Sequence, residues 1–154
     1  MFRNSLVILC ASTAYAAQIH MAIEDDFDTT TNPTIGIVSQ ALSSDMKKDP
    51  RFDGYNSYIM AAYVKFMEGS GARVIPIVDT ESQEVTVKKM TEQLDGILLP
   101  GGGGDDDYFS KGQQIYNQAI SMNDAGHFFP VWGTCLGFEY LASYAADSSN
   151  ILSS

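Results

Sequence analysis

"FPVWGTCLGFEYLA", residues 129–142, decides the fold. The apolar run from Phe128 to Trp132 reads as a short buried strand, and the apolar spacing over residues 136–146 reads as a helix that starts at once. Between them lies Gly133-Thr134-Cys135-Leu136-Gly137. A Gly-x-Cys-x-Gly turn is the cysteine counterpart of a nucleophile elbow. Gly133 and Gly137 let a strand reverse sharply into a helix, and the reversal lifts the central side chain above the sheet. The helix N-terminus behind Cys135 favours negative charge and so stabilises the thiolate, the reactive form of cysteine. The competing reading of the same residues is a small buried hydrophobe in a glycine-flanked turn.

Upstream, strands and helices alternate. "TIGIVS" (34–39), "ARVIPI" (72–77) and "GILLP" (96–100) are short runs rich in β-branched or apolar residues, and each reads as a strand. In "YNSYIMAAYVKFMEGSG", Ile59, Ala62, Tyr63, Phe66 and Met67 fall on one face of a helix closed by Gly69 or Gly71, an aromatic stripe that reads as core packing. Thr80 with Gln83 makes a capping-box pattern ahead of a second helix bearing Val87, Met90 and Leu94. A third helix is expected from Tyr108 to about Met122, with Ile115 and Ala119 inward. "ALSSDMKKDPRFDG" (41–54) reads as a loop. Strands alternating with helices imply βαβ units and an α/β fold: an open parallel sheet with flanking helices.

The strand ending at Pro100 runs into "GGGG" (101–104). In an open parallel sheet this loop shares the carboxyl edge with Cys135, where ligands bind. Its backbone N–H groups, with that of Leu136, suit a developing oxyanion. A phosphate cradle is the competing reading, but no Lys-Ser/Thr follows and no glycine completes a dinucleotide fingerprint. Asp105, Asp106 and Asp107 read as solvated acids in the first turn of the next helix, which leaves no metal site.

The chain has 154 residues and a formal net charge of -10, which suits one globular domain and offers no basic face for nucleic acid. "MFRNSLVILCASTAYAA" combines Arg3, an apolar run from Leu6 to Ala11 and the small-x-small site Ala14-Tyr15-Ala16. Residues 1–16 therefore read as a secretory signal peptide, too short to anchor in a bilayer, followed by a polar lead-in over 17–32. Cleavage would remove Cys10 and leave Cys135 as the single cysteine, a pattern that suggests an intermolecular bridge or a working thiol.

The blocks "NPTIGIVSQ", "YIMAAYVKFMEGSGARVIPI", "DGILLPGGG" and "FPVWGTCLGFEYLA" together resemble the folate gamma-glutamyl hydrolases of the class I glutamine amidotransferase-like superfamily, which have a flavodoxin-like fold. The resemblance spans Asn32 to Leu152. It implies a secreted, lysosomal or vacuolar cysteine hydrolase, an omega peptidase that cleaves γ-linked glutamate from folylpoly-γ-glutamates. Cys135 matches the family nucleophile, and Gly102 and Leu136 match the backbone donors of its oxyanion hole. The family needs no metal or organic cofactor, and its members are commonly dimers. The family's catalytic histidine lies in a His-Pro-Glu type motif, which residues 1–154 lack; the histidines here are His20, in the lead-in, and His127, before the fourth strand. Residues 33–154 are thus expected to form a partial, C-terminally truncated domain without its general base and with little activity by itself: a fragment, a truncated gene model or a degenerate copy. Two further readings stand beside the hydrolase. One is another amidotransferase-like cysteine hydrolase, such as a glutaminase subunit. The other is a non-catalytic remnant that binds folate or a peptide.

Overall fold

Burial of apolar runs on both faces makes the middle of the sheet. In the computed structural model, which describes residues 32–148, the chain runs β1 (Thr34–Val38), β2 (Gln40–Ala41), β3 (Ser57–Tyr58), α1 (Ala61–Gly69), β4 (Arg73–Ile77), α2 (Gln83–Glu92), β5 (Gly96–Leu99), α3 (Asp106–Asp124), β6 (Val131–Gly133) and α4 (Leu136–Ala145). Residues 1–16, read above as a signal peptide, together with Cys10, His20 and the expected lead-in up to Thr31, lie outside the described residues. Strands β4, β1, β5 and β6 lie side by side in that order, all parallel. The two inner strands are the most apolar: Ile37, Val38, Leu98 and Leu99 are at most 1% exposed. That is the signature of strands covered on both faces. Pro76, which cannot donate to a ladder, sits in β4 at the sheet's edge, where proline is tolerated.

One face of the sheet packs against α2, α3 and α4. Val38, Ile97 and Leu99 from the strands meet Met90, Ile115 and Leu141 from the helices in one core. Each such side chain contributes about 1.5–3 kcal/mol on leaving water. Helix α1 lies against β4 and β1. The parallel α/β sheet expected from the sequence is therefore the observed architecture.

Several local expectations are corrected. The stretch before α1 is a strand, not helix: Ser57–Tyr58 pairs antiparallel with Gln40–Ala41, so the supposed loop opens and closes on a small ladder. The predicted α1 stripe is less buried than its period suggested. Phe66 is 60% exposed and no residue of α1 is fully buried, although the helix lies against β4 and β1. The cap of α2 is Ser82, whose Oγ accepts from the Val85 N–H at 3.3 Å, and not Thr80. The strand expected over 128–132 is only Val131–Gly133. Phe128 is exposed, and the backbone of Phe129 is occupied by the Asn123 side chain, which accepts from its N–H at 3.0 Å and donates to its carbonyl at 2.9 Å. Pro130 has no N–H to offer and joins the ladder only through its carbonyl, which accepts from the Ile97 N–H at 3.0 Å.

Candidate active site

Because the strands are parallel, the connections that follow β1, β4, β5 and β6 open on one edge. Cys135 stands there, exposed and unpaired, as the residue that caps α4. Its backbone has φ 52° and ψ −116°, a positive-φ conformation that a side-chain-bearing residue seldom adopts. Such strain persists only where the surroundings over-determine it. The surroundings here are two backbone crossings. A Cβ on Gly133 would lie 2.6 Å from the carbonyl of Gly137, and one on Gly137 would run into the Leu99 carbonyl oxygen. The first turn of α4 thus presses directly on the ends of β5 and β6. Only glycine fits either position.

The loop after β5 meets this turn. The place a Gly101 side chain would occupy is 2.8 Å from Cys135 Cβ, 3.0 Å from the Thr134 carbonyl oxygen and 3.0 Å from Tyr63 Oη. The Gly101 N–H donates to that Tyr63 hydroxyl at 2.9 Å. Gly102 follows with φ 143°. Among the described residues, the N–H groups of Gly102 and Leu136 donate to no acceptor. The Pro100 carbonyl accepts from Tyr108 Oη at 2.7 Å and from Gln40 Nε2 at 3.4 Å. Burial raises the Tyr108 phenol well above its ordinary range, so it serves as a neutral donor.

The structure thus brings together Cys135, Leu136, Gly133, Gly137 and the Gly101–Gly104 loop. It does not bring His127 to them. His127 is exposed in the connection from α3 into the amino end of β6, the far end of the strand from Cys135. Asp105 caps α3 by accepting from the Tyr108 N–H at 3.0 Å, with Asp106 and Asp107 in the first turn. Among the described residues no group of three or more His, Cys, Asp or Glu side chains is arranged to hold a metal, and no helix is long and apolar enough to cross a membrane. The sequence reading passed over Tyr63, Gln40 and Tyr108. Tyr63 lies in the aromatic stripe of α1, whose period reads as core packing. Gln40 and Tyr108 carry no local signal, since their contacts with Pro100 span 60 and 8 residues.

A cysteine on a strained strand-to-helix turn, at the carboxyl edge of a parallel sheet flanked by helices, defines the class I glutamine amidotransferase-like fold. The Peptidase C26 family model matches residues 33–146, and the chain belongs to that family. It is 40% identical over 124 residues to Gamma-glutamyl hydrolase 1 of Arabidopsis thaliana, covering 78% of this chain and 34% of the relative. It is 40% identical over 119 residues to Gamma-glutamyl hydrolase of Homo sapiens, covering 75% of this chain and 36% of the relative. Gamma-glutamyl hydrolase B of Dictyostelium discoideum is 37% identical over 124 residues, with 78% and 34% covered. The chain spans about a third of the length of these relatives.

Proposed function

We propose that this chain carries the nucleophile half of a gamma-glutamyl hydrolase acting on folylpoly-γ-glutamates. The observation that carries the reading is the close approach of the glycine loop to the elbow, where any side chain on Gly101 would meet Cys135 Cβ at 2.8 Å, which puts the loop beside an exposed thiol on a strained turn. The Cys135 thiolate attacks the γ-carbonyl carbon. The carbonyl oxygen takes the charge, held by the Gly102 and Leu136 N–H groups, whose hydrogen bonds are otherwise unused among the described residues. Collapse forms a thioester on Cys135 and expels the amine of the next glutamate, which must be protonated as it leaves; water then releases the acyl group. No histidine of the described residues is placed to supply that proton, so leaving-group departure is the step these residues leave unassisted.

A substrate that needs no protonated leaving group separates the two halves of this reading. A phenyl thioester of the γ-carboxyl of N-acylglutamate should acylate Cys135, seen by intact-mass spectrometry, and Cys135→Ser should take up no thioester adduct. Polyglutamylated folate should be turned over slowly or not at all by this polypeptide. Iodoacetamide labelling of Cys135 without any acylation by the thioester would refute the hydrolase reading and favour the non-catalytic remnant. For the first 16 residues we propose export through the secretory pathway. N-terminal sequencing of exported protein should begin at Ala17, and retention of Met1 would overturn it.

A further inference from the structure

One peptide unit of the glycine loop is gripped at both ends. The Pro100 carbonyl and the Gly101 N–H belong to the same planar amide, so fixing the two fixes the plane. The carbonyl end takes hydrogen bonds from Tyr108 Oη (2.7 Å) and Gln40 Nε2 (3.4 Å), and the N–H end donates to Tyr63 Oη (2.9 Å). The three side chains come from α3, β2 and α1, elements far apart in the chain. Tyr108 is 0% exposed and Gln40 is 2% exposed. A buried phenol and a buried amide are destabilising unless they find partners, and an apolar pair would fill the same space more cheaply. Gln40 does a second thing: its Oε1 occupies the space a Gly102 side chain would need, where the backbone turns through φ 143°. The next amide in the loop is the one that carries the Gly102 N–H.

We infer that Gln40 and Tyr108 are positioning residues that preset the glycine loop, aiming the Gly102 N–H at the oxyanion formed on Cys135. The inference rests on the hydrolase reading above. Clamping the Pro100–Gly101 amide leaves only the Gly101 dihedrals to orient the following N–H, so the donor is in place before substrate arrives. That is where preorganised donors gain their advantage over water. An amide freed to rotate would still let the thiol react but would stabilise the tetrahedral intermediate poorly.

The test uses the whole 154-residue chain carrying Tyr108→Phe, which removes one oxygen, and Gln40→Met, which removes the amide at similar length. Two rates are compared: acylation of Cys135 by the γ-glutamyl phenyl thioester, which passes through an oxyanion, and alkylation by iodoacetamide, which does not. Each variant should acylate at least about tenfold more slowly, in keeping with what small misplacements and lost donors cost in such sites. Alkylation should stay within about twofold, since the thiol and its turn are untouched. Acylation at the unaltered rate would overturn the inference. So would an equal fall in both rates, which would mean that the site had merely loosened. If Gln40→Met does not fold, Tyr108→Phe decides alone. Failure of the unaltered chain to acylate at all would sink the hydrolase reading itself, a result distinct from the two above.

Discussion

The strain at Cys135 and the glycine crossings around it make separable predictions at the scale of single residues. A non-glycine residue held at positive φ costs about 1–3 kcal/mol. Cys135→Gly should therefore be more stable than Cys135→Ala by about 1 kcal/mol, after allowing for the freer unfolded chain of glycine. Urea unfolding of the two variants measures the difference, and equal midpoints would mean that the turn is not strained. Gly137→Ala would push a methyl group into the Leu99 carbonyl, whereas Gly103 has open space around it. The first should lose about 3 kcal/mol or more and the second less than about 0.5 kcal/mol, again by urea titration. The importance of Gly133 and Gly137 was legible in the sequence, because a glycine two residues either side of a cysteine is a local pattern. That of Tyr63, Gln40 and Tyr108 was not, because each acts on an amide brought to it by the fold.

At the scale of elements, helix ends show how local patterns compete. Thr80 and Gln83 have capping-box spacing, yet Ser82 is the N-cap. The chain leaving β4 spends Asp79 and Glu81 on other partners. Asp79 accepts from Ser39 Oγ at 2.9 Å, and Glu81 accepts from the Thr86 hydroxyl at 2.9 Å and pairs with Lys89 at 2.6 Å. Those bonds hold the turn so that the helix begins two residues later than Thr80 would have set it. Ser82→Ala should cost about 1 kcal/mol, and Thr80→Ala less than about 0.5 kcal/mol, by thermal or urea unfolding. A larger loss at Thr80 would restore the sequence-based cap. The same contest shortened β6, where Asn123 claims the backbone of Phe129 that a neighbouring strand would have taken.

At the scale of the whole molecule, the packing of α3 against α4 buries tyrosines and gives stability an alkaline limit. Burial raises the phenols of Tyr108, Tyr140 and Tyr144 above their ordinary value of 10.0. Through that region the unfolded chain releases protons that the folded chain keeps, so stability is full below pH 10 and falls as pH rises beyond it. Lys111 acts in the opposite sense: burial lowers its value from 10.5, so its contribution grows as pH approaches that point. Three tyrosines outweigh one lysine. The urea midpoint should therefore drop as pH rises beyond about 10, with a shallower slope in Tyr144→Phe. A midpoint that rises over this range would contradict the assignment.

The order of apolar runs along the chain determined the α/β class, the parallel sheet and the position of Cys135 on a turn at the carboxyl ends of its strands. These follow from periodicity and from the backbone freedom of glycine, both of which act over a few residues. Only the tertiary structure decided which strand lies beside which, how little of α1 is buried, and which side chains hold the glycine loop. Those outcomes depend on hydrogen bonds between groups tens of residues apart, such as Gln40 to Pro100 and Tyr63 to Gly101, whose energies exist only once the sheet has brought their partners to one edge.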